Sequence, residues 1–328
     1  MHLAGDIGGT KTLLGLFTPD RGPRHPVELA ALASRDFRSA GALLGQFLDG
    51  RKIDGATFGV AGAVLNDGAW GPNLPWKIVR TELRRALGGT PVRLLNDLEA
   101  IATFVPELES GDLVVLAEGV PTEHGPIGVI APGTGIGQAM LLWGRGGYRA
   151  VASEAGHVDF ASNTALQDDY LAFLRARYGH VSLERACSGN SFPLLFEFLT
   201  GAGFPGHPDV LSALSTTKDP TPTIVEAGLD GHCTASTLAL EMFVEMLGAA
   251  AGNLVLQVVA TGGIYLAGGI PARILPALRH PRFLTAFTHK GRFSDLASRI
   301  PIHVIVNPQV GLFGAALCGL NEHSGVQS

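Results

Sequence analysis

The stretch Asp6-Ile-Gly-Gly-Thr-Lys11 decides the fold, and a related stretch, Ala131-Pro-Gly-Thr-Gly-Ile-Gly137, follows later in the chain. Each lies between two apolar runs, so each predicts a strand, a glycine-rich hairpin turn and a second strand. Such a turn can point backbone N–H groups and a threonine hydroxyl at a phosphate. Two such loops in one chain indicate two similar half-domains that close on one polyphosphate.

Other loop types fit these glycines less well. A P-loop requires G-x-x-x-x-G-K-[ST], which the sequence lacks. A dinucleotide fingerprint requires a third Gly or Ala where Gln138 stands, and a helix after it, whereas a strand-like run follows here. An ordinary glycine hairpin explains either loop taken alone. The two loops together, with Asp6 on the first, favour phosphate binding.

The composition of the chain limits the classes of function that it can have. The chain has 328 residues, of which 46% are hydrophobic and 16% charged, enough for two domains or one large one. A net charge of −5 without a long basic run argues against nucleic acid or a membrane surface as the main partner. Three scattered cysteines (Cys187, Cys233 and Cys318) and an N-terminus without a signal peptide indicate reduced thiols in a cytoplasmic protein.

Strands alternate with helices over the first hundred residues, which predicts an α/β layered architecture. Polarity rises near residues 107–112, so we expect a small α/β domain over 1–108 and 307–328, and a large α/β domain over 109–306. A small-residue helix over 312–320 is expected to pack back on the first domain. The apolar stretch 238–270 contains polar interruptions and predicts a buried core helix rather than a membrane span. The stretch 201–222 is rich in Gly, Pro, Ser and Thr and predicts an exposed connection.

Asn96 and Asp97 follow a buried strand and precede a helix predicted over 98–104. Ligands of open α/β sheets bind beyond the carboxyl ends of strands, and a carboxylate there can accept a proton from a substrate hydroxyl. The competing interpretation is that Asp97 only caps the helix, and position alone favours that interpretation.

A second polar cluster comes from Glu154, His157 and Asp159, which fall within six residues, and from Glu184 near a helix start. Carboxylates and an imidazole suit a polyol, because vicinal hydroxyls present donors and acceptors together. A metal site is less well supported, since one histidine has no cysteine pair nearby. Glu184 taken alone is explained as a favourable charge at a helix N-terminus. The Gly268-Gly269 pair after a strand allows close approach of a purine or phosphate, or forms a plain turn.

Together the motifs resemble the bacterial glucokinase family of the non-zinc type, within the hexokinase and actin-like ATPase superfamily. The matching stretches follow one another in family order over nearly the whole chain: Gly5-Asp-Ile-Gly-Gly-Thr10, Leu95-Asn-Asp97, Pro132-Gly-Thr-Gly-Ile-Gly137, Glu154-Ala-Gly-His-Val-Asp-Phe160, Glu184-Arg-Ala-Cys-Ser-Gly189, Leu266-Ala-Gly-Gly-Ile270 and Gly311-Leu-Phe-Gly314. The resemblance implies an α/β, two-domain actin-like fold (ribonuclease H-like) with a sugar and ATP cleft between the domains.

The resemblance also implies residue roles. Asp97 is then the general base on the 6-hydroxyl of glucose, and Asp6 positions Mg²⁺ through water. The other sugar ligands are Asn96, Glu154, His157 and Glu184, with Asn73 and Trp76 as a less clear sugar-side loop. Nucleotide contacts are implied for Gly8, Gly9, Thr10, Lys11, Gly133, Thr134 and Gly135 at the phosphates of ATP, and for Gly268 and Gly269 at the adenosine.

The sequence departs from the family pattern at Lys11, where many members have Asn. Lysine there also occurs in the neighbouring repressor/ORF/kinase group, which typically carries a C-x-C-G-x-x-G-C zinc motif. This chain lacks that motif, so no zinc is expected and His157 is implied to be a sugar ligand. Lys11 either touches phosphate or is solvated, and the sequence leaves both open.

The expected function is therefore a cytoplasmic, ATP-dependent glucokinase that makes glucose 6-phosphate, with domain closure excluding water. A kinase for another hexose or an N-acetylated amino sugar is the alternative within the class. A non-catalytic sugar-sensing regulator is the alternative of another class, although such repressors carry a helix-turn-helix domain before the first loop, which here begins at residue 5. An actin- or chaperone-like ATPase would lack the polyol cluster. A homodimer is compatible with the resemblance, and the sequence leaves the oligomeric state open.

Overall fold

The structure is a computed structural model that describes residues 1–65, 67–70 and 74–323. The strands are β1 His2–Ile7, β2 Lys11–Phe17, β3 Glu28–Ala33, β4 Gly55–Val60, β5 Ala63–Leu65, β6 Gly68–Trp70, β7 Ile78–Val79, β8 Val92–Asn96, β9 Leu113–Ala117, β10 Ile127–Pro132, β11 Ile136–Gly144, β12 Gly147–Ser153, β13 Gly263–Leu266 and β14 Ile302–Ile305.

The helices run from near the N-terminus to the end of the described chain. They are α1 Ala40–Leu48, α2 Arg80–Ala86, α3 Asp97–Phe104, α4 Ala165–Tyr178, α5 Leu183–Ala186, α6 Phe192–Gly201, α7 Pro208–Leu214, α8 Pro220–Asp230, α9 Thr234–Val258, α10 Gly269–Arg273, α11 Leu275–Leu278, α12 Pro281–Thr288, α13 Ser294–Ser298 and α14 Val310–His323. The mixture of strands and helices confirms the predicted α/β class.

The chain divides into two compact units. The first contains residues 1–109, 141–152 and 307–328, and the second contains residues 110–140 and 153–306. The segment 141–152 is the outer part of the β11–β12 hairpin. The predicted domain boundaries at 108/109 and 306/307 stay a prediction.

The first unit is built on a five-stranded sheet with the strand order β3-β2-β1-β4-β8. β1 pairs antiparallel with β2 and parallel with β4, which in turn pairs parallel with β8. The carboxyl ends of β1, β4 and β8 therefore meet at one edge, and β8 ends at Asn96. α14 packs on α3 and β1, where Phe313 and Phe104 lie with ring centroids 5.5 Å apart.

The second unit carries β9, β10, β13 and β14 of a six-stranded sheet with the order β12-β11-β10-β13-β14-β9. β10, β13 and β14 pair parallel, so their carboxyl ends also share one edge. α9 is the central helix of this unit's core, and its Phe243 stacks on Phe192 at 4.6 Å between centroids. By length and composition α9 could cross a membrane, but 78% of its most apolar window is buried inside the protein.

The exposed connection predicted over 201–222 is wrong in part, because helices form within it. α7 begins at Pro208 after His207, whose ring accepts a hydrogen bond from the backbone N–H of Asp209. α8 begins at Pro220 after Asp219, whose carboxylate accepts from the N–H of Thr221. Proline with a polar residue before it starts a helix as readily as it marks a loop, because its missing N–H is not needed in the first turn.

Candidate active site

The first loop, Gly8–Thr10, is held closed by hydrogen bonds at the carboxyl end of β1. The N–H of Gly8 donates to the carbonyl of Lys11 at 3.1 Å. Ser34 then clamps the loop from outside, since its Oγ donates to the carbonyl of Gly8 at 2.7 Å and its N–H donates to the carbonyl of Thr10 at 3.0 Å. The Ser34 hydroxyl is fully buried and also bonds the Thr12 hydroxyl at 2.9 Å. The conformation of the loop is therefore fixed by Ser34.

Asp6 lies just before this loop, near the end of β1, and is half-buried. A Cβ built on Gly311 of α14 would lie only 2.9 Å from Asp6 Oδ2. Burial, and next the negative charge of Asp97, raise the pKa of Asp6 to about 7, while the charge of Lys11 acts in the opposite direction. A divalent cation at Asp6 would relieve both unfavourable effects, so the carboxylate fits a Mg²⁺ site.

Asn96 and Asp97 stand at the junction of β8 and α3, where the cap of the helix falls on Asn96. Asn96 Oδ1 accepts hydrogen bonds from the N–H groups of Leu98 at 3.0 Å and Glu99 at 3.3 Å. Asn96 Nδ2 donates to the carbonyl of Gly62 at 2.9 Å, which leaves one amide hydrogen for a ligand. Asp97 Oδ1 accepts a hydrogen bond from the N–H of Leu98 at 2.9 Å. Because Asn96 supplies the cap, helix capping does not account for Asp97.

The structure describes only part of the predicted sugar-side loop that contains Asn73 and Trp76. Asn73 lies outside the described residues. Trp76 is partly buried, packs on the core of the first unit and donates its indole N–H to the carbonyl of Phe37 at 2.8 Å. The indole N–H is therefore used within the protein.

The second loop, Gly133–Gly135, connects β10 to β11 in the second unit and resembles the first in its closure. The N–H of Gly133 donates to the carbonyl of Gly135 at 2.7 Å. The segment after α5 holds the loop from outside, since the N–H of Gly189 donates to the carbonyl of Gly133 at 2.7 Å and that of Asn190 to the carbonyl of Thr134 at 3.3 Å. Within the described chain, no protein acceptor is assigned to the N–H groups of Gly9, Thr10, Thr134 or Gly135.

Glu184 lies in the first turn of α5 and reaches the second loop directly. Its Oε2 accepts a hydrogen bond from the N–H of Ile136, the residue that follows the loop, at 3.2 Å. A Cβ built on Gly135 would overlap this carboxylate. The predicted sugar ligand and the predicted phosphate loop are therefore in contact.

Glu154 immediately precedes a short 3-10 turn, Ala155–His157, which His157 ends, and both side chains are exposed. The turn is anchored by Ser153, whose Oγ donates to the carbonyl of Gln138 at 2.8 Å and accepts from the N–H of Ala155 at 3.3 Å. Asp159, from the same motif, pairs instead with His180, with 2.7 Å between Asp159 Oδ1 and His180 Nε2. Glu154 and His157 are thus available to a ligand, whereas Asp159 is engaged.

Gly268 and Gly269 form the turn from β13 to α10. Gly268 has a φ of +84°, and a Cβ there would lie 2.7 Å from the carbonyl oxygen of Pro132, just before the second loop. The pair is a strand-to-helix turn that lies close to the start of the second loop. The approach of a purine or phosphate to these glycines stays a prediction.

The structure thus gathers the predicted residues into two groups, one in each unit. The first contains Asp6, Gly8, Gly9, Thr10, Lys11, Asn96 and Asp97, and the second contains Gly133, Thr134, Gly135, Glu154, His157, Glu184, Gly268 and Gly269. Among the residues that the structure describes, no group of three His, Cys, Asp or Glu side chains is arranged to hold a metal ion. A Mg²⁺ held by Asp6 through water would therefore take its ligands from water and phosphate.

Sequence reasoning missed the residues that hold the loops. Ser34, Gly189 and Asn190 are distant from the loops along the chain, and an isolated serine or Gly-Asn pair carries no motif. The Ser34 clamp could have been anticipated only from the pairing of β2 with β3, which brings Lys11 opposite Ala33.

Comparison with known proteins gives one consistent result. The family model described as Glucokinase matches residues 3–322. A curated glucokinase of Nostoc punctiforme is 36% identical, over 96% of this chain and 98% of that protein. The crystal structure of a glucokinase from an Antarctic psychrotroph has a TM-score of 0.81 and 29% identity, covering 97% of this chain and 98% of the other.

A more distant solved structure extends the comparison of folds. A ROK family glucokinase from Streptomyces griseus, in complex with glucose and AMPPNP, has a TM-score of 0.59 at 19% identity and covers 96% of this chain and 97% of the other. These likenesses confirm the predicted actin-like ATPase fold of sugar kinases.

Proposed function

The chain belongs to the glucokinase family, and we propose that Asp97 is the general base with which it phosphorylates glucose from ATP. The reaction transfers the γ-phosphoryl group of ATP to the 6-hydroxyl and gives glucose 6-phosphate. The observation that supports this role of Asp97 is that Asn96, and not Asp97, is the N-cap of α3. Asn96 caps the helix with its side chain, so the cap does not require the neighbouring carboxylate of Asp97.

Asp97 suits proton abstraction in position and in charge. It is half-buried at the carboxyl end of β8, the edge of the sheet where ligands of α/β folds bind. The negative charge of Asp97 also raises the pKa of the nearby Asp6, after the larger effect of burial. An ionised carboxylate accepts the 6-hydroxyl proton as the oxygen attacks phosphorus.

The other sugar hydroxyls are assigned to groups with free acceptor or donor capacity. Asn96 offers its second amide hydrogen, Glu184 its Oε1 and the remaining lone pairs of Oε2, and Glu154 and His157 their exposed side chains. Asn73 and Trp76 are assigned to the sugar side on the family resemblance. Charge-assisted hydrogen bonds of this kind fix which hydroxyl faces the phosphate.

The phosphates of ATP are assigned to the open backbone donors of the two loops. These are the N–H groups of Gly9, Thr10, Thr134 and Gly135, while Gly8 and Gly133 use their N–H groups to close the turns. Preorganised N–H groups stabilise the charge that develops on the transferring phosphoryl group. Lys11 is exposed beside the first loop and would add positive charge there, and Gly268 and Gly269 would border the adenosine.

Mg²⁺ is assigned to Asp6, through water, because the enclosed carboxylate gains most from a cation. When bound, Mg²⁺ neutralises charge on the β- and γ-phosphates. On the family resemblance we further propose a cytoplasmic enzyme of the first step of glycolysis, with glucose and ATP as its ligands and without nucleic acid, membrane or zinc. A homodimer is compatible with the resemblance.

The test is ADP release from ATP and Mg²⁺ by the purified protein with glucose, mannose, fructose, N-acetylglucosamine or no sugar, together with identification of the phosphorylated product. Activity that requires glucose and yields glucose 6-phosphate is expected. Preference for another sugar would retain the reaction and change the substrate. ADP release independent of sugar, or none with any sugar, would refute the proposed function.

A further inference from the structure

We propose that Gly135 of the second loop is a positioning residue for the sugar, because its lack of a side chain lets the Glu184 carboxylate pack directly against the loop. The proposal rests on the proposed function, in which Glu184 binds glucose. It adds that glucose affinity depends on a residue of the phosphate loop even when no nucleotide is present.

The contact at Gly135 leaves no room for a side chain. A Cβ built there would overlap Oε2 and approach Cδ of Glu184 within 3.0 Å. The same Oε2 is hydrogen-bonded by the N–H of Ile136 at 3.2 Å. Glycine at 135 thus lets the carboxylate lie flat against the loop and reach the next backbone donor, which fixes where its remaining lone pairs point.

The Glu154–His157 turn packs against Ile136, the residue whose N–H donates to Glu184. A Cβ on Gly156, between Glu154 and His157, would overlap the carbonyl oxygen of Ile136. The backbone of Ile136 therefore supports both groups of predicted sugar ligands, since its N–H donates to Glu184 and its C=O lies against the Glu154–His157 turn. A displacement at the loop is transmitted to the sugar ligands without an intervening element.

The segment that carries Glu184 is bound to the loop at further points. Gly189 and Asn190, shortly after α5, donate to the carbonyls of Gly133 and Thr134. Leu183, at the start of α5, donates its N–H to the carbonyl of Val158 at 2.8 Å, and so joins α5 to the chain that leaves the Glu154–His157 turn. The second loop and the sugar-side segments are thus one hydrogen-bonded block within the second unit.

The chain offers a matched pair of substitutions in one loop. In Gly135→Ala the added methyl group meets Glu184, which is the end of a flexible side chain, so the carboxylate moves and the fold is retained. In Gly133→Ala the same methyl group meets nothing within 4 Å, and Gly133 does not have a positive φ. Both variants keep every backbone N–H of the loop.

The experiment measures glucose binding by calorimetry without nucleotide, AMPPNP binding without sugar, and the Tm of each variant. We expect Gly135→Ala to weaken glucose binding at least about tenfold, the loss of a charge-assisted hydrogen bond, while Gly133→Ala changes it less than about twofold. In a Glu184→Ala background Gly135→Ala should cause no further loss of glucose affinity. Equal glucose affinities for the two alanine variants would overturn the proposal.

Other outcomes separate this proposal from the proposed function. A wild-type protein that binds no glucose contradicts the proposed function itself. Weaker AMPPNP binding with unchanged glucose binding in Gly135→Ala would show that the loop acts on phosphate only. That result would refute the role of Gly135 in positioning Glu184. If Gly135→Ala does not fold, amide hydrogen exchange at Ile136 decides, since Glu184→Ala should accelerate it, and an unchanged rate would contradict the contact.

Discussion

The two glycine-threonine loops have the same backbone design but different surroundings. In each loop the N–H of the first glycine donates the hydrogen bond that closes the turn. Residues outside the loop donate to the carbonyls of Gly8 and Thr10 in the first loop, and of Gly133 and Thr134 in the second. The first loop adjoins an enclosed carboxylate, Asp6, whose pKa is raised to about 7. The second adjoins a carboxylate, Glu184, that is already hydrogen-bonded to backbone. The comparison teaches that a carboxylate whose charge is disfavoured by its surroundings suits metal binding, whereas a carboxylate already held by the backbone suits the positioning of a ligand.

The largest effect is expected from Asp97→Asn, which keeps the shape and the acceptor for the Leu98 N–H but removes the base. We expect kcat to fall about 10³-fold or more, in the range of general acid–base catalysis. The measurement is steady-state ADP release with saturating glucose and ATP. Glu99→Gln is the matched control, since Glu99 is the other acid in the first turn of α3 and should leave kcat unchanged. Near-normal turnover of Asp97→Asn would refute its role.

The next effect concerns the enclosed acid of the first loop. Asp6→Asn should lower kcat/KM by about 10²-fold through the loss of charge at the Mg²⁺ position. It should also stabilise the protein without Mg²⁺ at alkaline pH. Because the folded-state pKa is raised, the native protein retains a proton that the unfolded chain releases, so stability falls as pH rises from about 4 to about 7.

This sign gives a direct measurement. The Tm of Asp6→Asn relative to the unsubstituted protein, both without Mg²⁺, should increase from pH 5 to pH 8 by about 2–6 °C. Added Mg²⁺ should stabilise the unsubstituted protein more than the variant. A Tm difference that does not change with pH would show that Asp6 is not buried as a costly charge.

A smaller effect is expected from the clamp of the first loop. Ser34→Ala leaves the carbonyl of Gly8 and the hydroxyl of Thr12 without this partner, so the loop loses its fixed conformation. The KM for ATP should rise about 3–10-fold, the effect of about 1 kcal/mol, with glucose binding unchanged. Ser39→Ala removes a comparable serine, the N-cap of α1, and should lower stability without changing the KM for ATP. Equal effects on both would refute a specific clamp.

The smallest effect is expected at Asp159, which lies in the same motif as Glu154 and His157. Its carboxylate is exposed and paired with exposed His180, and such pairs contribute about 0–1 kcal/mol. Asp159→Asn should change the KM for glucose less than about twofold, as measured by initial rates. A tenfold rise would add Asp159 to the sugar ligands and weaken the distinction between engaged and available acids.

The sequence was sufficient for features carried by local patterns. The family, the α/β fold and the kinase function were predicted from motifs and are confirmed by the comparisons. Residue roles stay predictions, although the structure places the predicted residues in two coherent groups. Position alone favours Asp97 as the helix cap, whereas the structure places the cap on Asn96. The two residues are adjacent and both are good caps. The hydrogen bonds of Ser34 to the first loop and the contact of Gly135 with Glu184 join segments far apart along the chain, which motif spacing does not encode.

The central claim is that catalysis belongs to Asp97 and sugar positioning to Glu184. Calorimetric titration of glucose into Asp97→Asn and into Glu184→Ala, without nucleotide, tests it most directly. The account predicts that Asp97→Asn binds glucose within about threefold of the unsubstituted protein, whereas Glu184→Ala binds it at least about tenfold more weakly. An equal loss of glucose affinity in both variants, or a greater loss in Asp97→Asn, would contradict it.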